Sequence, residues 1–273
     1  MLPILKKYAL LGCLATTLIL QSCTQDKNGD RLIFSIEDDI NLGAQVSQEV
    51  DSTYRAKGQL LDPANPANKA AYDHLNRIVN RILSSGKVSY RNEFAWDTKI
   101  IKDDNVLNAF ATPGGHIYVF SGLIKYLDNE DQFAGVLGHE IAHADQRHST
   151  KQLQRQYGLS ILLSVALGDN PGTLTQIATS LATLKFDRDA ETEADAYSVI
   201  YLGGTNYYAC NGAAGFFEKI LSGDQQGRTP EFLSTHPDPG NRVQNINNKA
   251  AADGCKTQLS GATTYQDFKN SLK

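Results

Sequence analysis

Residues 138–148 read GHEIAHADQRH, and two histidines in this stretch, His139 and His143, are four positions apart. On an α-helix, positions four apart differ by only about 40° around the axis and by one turn along it. Both imidazoles therefore leave the same helix face and can hold one metal ion. Glu140 projects beside this pair, where it can reach a water molecule without ligating the metal.

The sequence around the motif favours a helix from about Asp131 to Arg147. Asp128 or Asn129 can cap its first turn, and no proline interrupts it. Apolar residues supply one side of the helix, namely Phe133, Val136, Leu137 and Ile141. The pattern His-Glu-x-x-His on such a helix is typical of zinc peptidases.

A catalytic zinc site needs three protein ligands and one open position. One known pattern requires a histidine six residues after His143, but Ser149 occupies that position. The spacing leaves three candidates for the third ligand: Glu191, Glu193 and His236. The two glutamates lie in RDAETEAD at residues 188–195, and the histidine lies in HPDPGNRV at residues 236–243.

The rest of the chain predicts mostly helices and a small sheet. Helical periodicity or apolar runs occur at residues 38–57, 67–83, 159–167, 174–184, 187–202 and 213–221, and a polar terminal helix is expected at 241–251. Residues 96–101 are strand-like, and NAFATPGGHIYVF at 108–120 predicts a strand, a turn and a strand. The predicted class is α+β, with one domain at residues 37–273.

The N-terminus has the order of an export signal. Lys6 and Lys7 precede an apolar run that is too short to span a bilayer as a helix, and a polar stretch follows Cys23. Leu20-Gln21-Ser22-Cys23 resembles the bacterial lipobox, which implies a lipoprotein signal peptide at residues 1–22, lipid on Cys23 and a tether at residues 23–36. The alternative is an ordinary cleaved signal with an incidental cysteine.

Composition and cysteine use set further limits. Of the 273 residues, 41% are hydrophobic and 21% charged, which is an ordinary globular balance, and a formal charge of −4 does not favour nucleic acid as a partner. Cys210 and Cys255 remain in an exported chain, and such a pair predicts a disulfide. No C-x-x-C spacing exists, so a thiolate zinc site is not expected.

Four blocks together resemble the zinc peptidases related to the CAAX prenyl protease, a family that includes mitochondrial inner-membrane proteases and bacterial periplasmic proteases of outer-membrane assembly. The blocks are NAFATPGGHIYV at residues 108–119, GHEIAHADQRH at 138–148, RDAETEAD at 188–195 and HPDPGNRV at 236–243. The resemblance implies a mostly helical, zincin-like (gluzincin) metalloprotease domain with a small β-sheet and one Zn²⁺ per chain.

The resemblance also implies roles for single residues. The first glutamate of the ExxAD block, Glu191, is expected to ligate the metal, and Asp195, four residues later on the same face, to orient a zinc-bound histidine. Glu193 is then expected to have a surface or salt-bridge role. His236 or Arg242 could stabilise the oxyanion, with a fourth ligand position as the alternative for His236. His148, five residues after His143, is expected to be structural.

The expected activity is hydrolysis of peptide bonds in unfolded or misassembled envelope proteins. The chain lacks the multiple membrane-spanning helices of the prenyl protease and has no room for a C-terminal helical-repeat domain, so prenyl-peptide processing and recruitment of large partners are not expected. Thr24 after Cys23 fits sorting to the outer membrane, facing the periplasm. The competing interpretation is a metal-binding chaperone or scaffold lipoprotein with vestigial proteolysis, and the intact Glu140 favours the enzyme because a scaffold needs no general base.

Overall fold

The computed structural model describes residues 24–25, 31–223, 231–237, 240–258 and 264–272, so the predicted signal peptide and Cys23 lie outside the described residues. The strands are β1 (Thr24–Gln25), β2 (Arg31–Leu32), β3 (Thr98–Ile101), β4 (Ala109–Ala111) and β5 (Ile117–Phe120). The helices are α1 (Ile36–Ala56), α2 (Lys69–Leu83), α3 (Ser121–Tyr126), α4 (Glu130–Asp145), α5 (His148–Tyr157), α6 (Leu159–Ala166), α7 (Pro171–Leu181), α8 (Arg188–Gly203), α9 (Gly212–Leu221), α10 (Glu231–Thr235), α11 (Arg242–Asp253) and α12 (Thr264–Ser271). The predicted mostly helical α+β class is confirmed.

A three-stranded sheet in the order β3-β5-β4 carries the predicted hairpin. Strands β4 and β5 pair antiparallel, with Phe110 opposite Tyr118, and β3 pairs parallel with β5. The connecting turn at Pro113–Gly115 contains Gly114 at a φ of 73°, a conformation that side chains with a Cβ rarely adopt. Strand β1 pairs with β2 in a separate two-stranded ribbon within the predicted tether.

The sheet separates two hydrophobic clusters. Side chains on successive residues of a strand point to opposite faces, and β5 follows this rule: Ile117 and Val119 join one cluster, whereas Tyr118 and Phe120 join the other. The first cluster is built mainly by α2, α4, α8, α9, α11 and α12. The second is built mainly by α1, α6 and α7.

Helix α4 lies at the centre of the first cluster and is buried almost throughout. Its N-terminus is capped by Asn129, whose side-chain oxygen accepts a hydrogen bond from the backbone N–H of Gln132 at 2.9 Å. A Cβ at Gly135 would come within 2.1 Å of the backbone of Ala213 in α9, and one at Gly138 would meet the side chain of Leu202 in α8 at 2.7 Å. Glycine at these two positions therefore permits the close packing of α4 that brings the flanking helices to the motif.

The chain departs from the predicted boundaries directly after the motif. The prediction that α4 runs to Arg147 is wrong, because the helix ends at Asp145 and Arg147 adopts a left-handed conformation with a φ of 60°. The polar helix α5 follows, and it was not predicted. The expected terminal helix is α11, which α12 follows among the described residues. None of the described helices has both the length and the apolar character required to cross a membrane.

Candidate metal centre

The two motif histidines meet on the buried face of α4. The Nε2 atoms of His139 and His143 are 2.9 Å apart, and neither residue is exposed to solvent. Four-residue spacing on a regular helix accounts for this contact, because it brings the two side chains to one face. Phe186 packs against the ring of His143 with a centroid separation of 4.0 Å and closes one side of the pair.

Helix α8 brings Glu191 to the histidines. The hydroxyl of Ser198 donates to the carbonyl of Gly135 at 2.8 Å and joins α8 to α4. The carboxylate of Glu191 is fully buried, with its Oε2 3.4 Å from Nε2 of His139 and its Oε1 3.4 Å from Nε2 of His143. Burial alone would raise the pKa of Glu191, but the surrounding imidazoles, that of His236 foremost, hold it below the usual range. The carboxylate is therefore ionised, as a metal ligand must be.

His236 approaches from the segment that follows α10. Its Nδ1 lies 3.0 Å from Oε1 of Glu191 and 3.3 Å from Nε2 of His139. The ring stacks on Phe232 at a centroid separation of 4.2 Å, and the backbone N–H of His236 donates to the carbonyl of Phe232. A short helix thus sets the position of a residue that is 97 positions from His139 in sequence.

Four side chains offer ligand atoms that fit one ion: His139, His143, Glu191 and His236. Their possible ligand atoms lie within 4.8 Å of one another, and all four residues are buried. Nitrogen or oxygen ligands about 2.0–2.1 Å from a tetrahedral zinc ion are roughly 3.3 Å apart, which agrees with the separations given above. Imidazole nitrogens and a carboxylate oxygen this close, and shielded from water, are stable only with a cation or proton among them.

Asp195 and Arg242 form the layer behind the ligand atoms. The carboxylate of Asp195 lies 2.9 Å from Nδ1 of His139, on the far side of the ring from the cluster. The guanidinium of Arg242 donates to Asp195 at 2.6 and 2.8 Å and lies 2.9 Å from Oε2 of Glu191. Burial would raise the pKa of Asp195, but the charge of Arg242 and the bond to His139 lower it.

His139 itself is drawn toward the protonated form by these carboxylates. Burial lowers its pKa, but hydrogen bonds to Asp195 and Glu191 outweigh burial and raise the pKa to about 9. His143 responds in the opposite way, since burial and the charge of its neighbour His139 lower its pKa. These opposite shifts favour a single proton between the two facing imidazoles, and a divalent cation would take the place of that proton.

Glu140 is buried beside the cluster, and neither of its carboxylate oxygens has a hydrogen-bond partner among the described residues. Nε2 of His236 lies 3.5 Å from Oε1 of Glu140. Burial raises the pKa of Glu140 above the usual range, against the opposing effect of His236 and His139. Burial of a carboxylate without a hydrogen-bond partner costs free energy. Glu140 is therefore expected to bind a ligand or a proton.

One residue of the motif region, His148, lies closer to the cluster than the sequence predicted. His148 is buried, with its Nδ1 3.0 Å from Nδ1 of His143 and its Nε2 3.3 Å from the carboxylate of Glu193. On a continuous helix, five residues would turn His148 about 140° away from His143. The left-handed conformation of Arg147 interrupts the helix and brings the ring back. A helix end before His148 was the signal that sequence reasoning missed.

Of the other predicted residues, Cys210 and Cys255 are joined in a disulfide, and Cys23 lies outside the described residues.

The family model described as Peptidase family M48 matches residues 69–250, which is more than half of the chain. Metalloprotease LoiP of Escherichia coli (strain K12) is 30% identical over 226 residues, covering 79% of this chain and 81% of LoiP.

Two further relatives are longer than the aligned region. Mitochondrial metalloendopeptidase OMA1 of Schizosaccharomyces pombe (strain 972 / ATCC 24843) is 29% identical over 212 residues, covering 76% of this chain and 61% of the relative. Beta-barrel assembly-enhancing protease of Escherichia coli (strain K12) is 33% identical over 191 residues, covering 65% and 38%. This chain thus spans less than two thirds of either relative.

Proposed function

Because this chain belongs to Peptidase family M48, we propose that it is a zinc-dependent endopeptidase with one zinc ion per chain. His139, His143 and Glu191 would bind the ion. The observation that carries this proposal is the buried carboxylate of Glu140, which has no hydrogen-bond partner among the described residues and lies directly beside the buried ligand cluster. A metal site with a purely structural role does not need such a group.

The zinc site and Glu140 would have separate roles in peptide hydrolysis. A zinc ion bound there would act as a Lewis acid toward the attacking water and the scissile carbonyl. Glu140 would take the proton of the attacking water on a carboxylate oxygen and pass it to the departing amine.

His236 and Arg242 would have different roles. Nδ1 of His236 faces the ligand atoms, so His236 would complete the ligand set in the resting enzyme and leave it when substrate needs the open position. Released, its imidazole would be available to donate a hydrogen bond to the developing oxyanion. The guanidinium of Arg242 is engaged by two carboxylates and would orient Glu191 and Asp195.

The test is hydrolysis of casein by the full chain and by Glu140→Gln. The variant should lose activity by several orders of magnitude while metal analysis still finds about one zinc per chain. Glu37→Gln, at an exposed position of α1, is the matched control and should keep both properties. Casein cleavage by Glu140→Gln at the parent rate would overturn the assignment of the general base.

A metal-binding chaperone or scaffold lipoprotein with vestigial proteolysis is the second candidate. It predicts that the parent protein binds zinc, suppresses aggregation of an unfolded client and cleaves nothing, with Glu140→Gln indistinguishable from the parent. The same pair of proteins, assayed for cleavage and for aggregation, therefore separates the two candidates.

The substrates we propose are unfolded or misassembled proteins of the bacterial cell envelope. One relative is named a beta-barrel assembly-enhancing protease. Strand β4 lies at one edge of the sheet and next to α4, so an extended peptide could pair with it near the metal cluster. Mass-spectrometric identification of proteins trapped in cells by Glu140→Gln tests this substrate class.

We also propose that lipid on Cys23 holds the enzyme at the outer membrane, facing the periplasm. The support is the order of positive residues, apolar run and Leu20-Gln21-Ser22-Cys23. Several acyl chains give stable anchoring where one chain binds only marginally. Labelling of cells with a palmitate analogue should mark the parent and not Cys23→Ser, and label that persists in the variant would contradict the anchor.

A further inference from the structure

Three side chains lead away from the metal centre, beginning at His143. Nδ1 of His143, the ring nitrogen that faces away from the ligand cluster, lies 3.0 Å from Nδ1 of His148. Nε2 of His148 in turn lies 3.3 Å from Oε2 of Glu193. The imidazoles are buried, and the side chain of Glu193 is 27% exposed, so the series runs from the centre to the protein surface.

Hydrogen-bond chemistry allows one consistent assignment of protons along this series. A neutral imidazole has one N–H donor and one acceptor nitrogen. If His143 binds a metal through Nε2, its Nδ1 carries the proton and must donate it. His148 then accepts at Nδ1 and carries its own proton on Nε2, where it donates to the carboxylate of Glu193. Each buried nitrogen of both rings is satisfied in this arrangement.

The local fold holds His148 in this place. The left-handed Arg147 starts α5, and its guanidinium donates to the buried carboxylate of Asp39 and to the carbonyl of Phe34 at the start of α1. The hydroxyl of Thr150 donates to the same carboxylate at 2.6 Å. Arg147 and Thr150 thus attach the start of α5 to α1, and this attachment holds the helix break that turns His148 toward His143.

We propose that His148 and Glu193 are positioning residues that fix the tautomer and ring orientation of His143, as Asp195 does for His139. Outer hydrogen bonds of this kind normally go to a carboxylate, a carbonyl or water; here a second histidine passes the bond on to a carboxylate. The inference rests on the proposed zinc site, because it requires His143 to ligate through Nε2.

The first test uses the unaltered sequence of the mature protein loaded with zinc. Long-range ¹H–¹⁵N correlation spectra of the histidine rings should give the Nδ1–H tautomer for His143 and the Nε2–H tautomer for His148. An Nδ1–H tautomer at His148 would overturn the proposal, because that nitrogen could not then accept from His143. A parent protein that binds no zinc would instead remove the proposed function itself.

The second test measures zinc affinity by competition with a chromophoric chelator. His148→Phe removes the acceptor and should weaken zinc binding by about 10–100-fold, which is typical for loss of an outer partner. His148→Asn, whose Oδ1 can replace Nδ1 as acceptor, should recover most of that loss. His116→Phe is the control, since His116 bonds to Asp97 away from the cluster and its replacement should leave the affinity unchanged. Equal affinities for the parent and a folded His148→Phe protein would contradict the proposal.

Discussion

At the residue scale, two glutamates on α8 have different surroundings although only Thr192 separates them. Two residues correspond to about 200° around a helix, so Glu191 and Glu193 leave α8 on nearly opposite sides. Glu191 is fully buried against the imidazoles, whereas Glu193 is partly exposed and reaches His148. The same chemical group is thus a ligand candidate at one position and a supporting partner at the other.

This difference predicts the zinc content of two variants. Glu191→Ala should be purified without zinc, because it removes the only carboxylate among the four clustered ligand candidates. Glu193→Ala should retain about one zinc per chain at micromolar zinc, since it removes a partner two hydrogen bonds away from the ion. Elemental analysis of both proteins is the measurement, and zinc retained in the first but lost in the second would reverse the assignment.

Asp195 allows a separate prediction about affinity. Asp195→Asn keeps the shape of the side chain but removes the charge that accepts from His139 and pairs with Arg242. Zinc affinity should fall by about 10–100-fold in chelator competition. Because the buried Arg242 also loses a charged partner, the thermal unfolding midpoint of the variant should be measured together with its zinc affinity. A folded variant with the affinity of the parent would mean that Asp195 does not orient the ligand.

At the element scale, α1 is packed tightly against the turn of the β4–β5 hairpin. A Cβ at Gly43 would lie 2.1 Å from the carbonyl oxygen of Pro113, which is backbone and cannot rotate away. The same helix supplies Asp39 to Arg147 at the start of α5. Helix α1 therefore supports both the hairpin and the segment that follows the His-Glu-x-x-His motif.

Gly43→Ala should consequently destabilise the protein by about 1–3 kcal/mol through overpacking, more than the gain of up to about 1 kcal/mol that alanine gives in a helix. Gly172→Ala in α7 is the matched control, because nothing lies within 4 Å of its added Cβ. This control should be neutral or slightly stabilising. Urea unfolding midpoints measure the stability of both variants. Equal midpoints would show that α1 shifts to accommodate the added methyl group at Gly43.

At the scale of the whole molecule, one disulfide ties together the C-terminal elements. Cys210 precedes α9 and Cys255 follows α11, with a sequence separation of 45 residues. The loop that they close contains His236 and Arg242. Closing this loop restricts the unfolded chain, and by the chain-entropy model it stabilises the fold by roughly 4 kcal/mol.

Reduction should therefore lower the free energy of unfolding by an amount of this order. Urea unfolding of the mature protein with and without reductant measures the loss, and Cys255→Ser provides the control because reductant should not destabilise it further. Thiol titration of the unfolded, unreduced protein should find neither Cys210 nor Cys255 free. Two free thiols would rule out the bond.

The sequence alone was sufficient for features that depend on repeating local geometry. Helical period and strand alternation predicted most helices, the hairpin at residues 108–120 and the α+β class, because these periods are the same in every protein. The same geometry predicts a shared face for His139 and His143. It also predicts opposite sides of α8 for Glu191 and Glu193.

Only the tertiary structure decided which distant residues join the motif. The approach of His236 depends on α10, and the contacts of Arg242 depend on α11 packing against α8 and α9. Helices α3, α5, α10 and α12 were not predicted; of these, α3 and α10 are short. His148 reaches His143 only because a left-handed residue, held by Asp39 from α1, interrupts the helix. Such contacts arise from packing between elements, and local spacing along the chain carries no information about that packing.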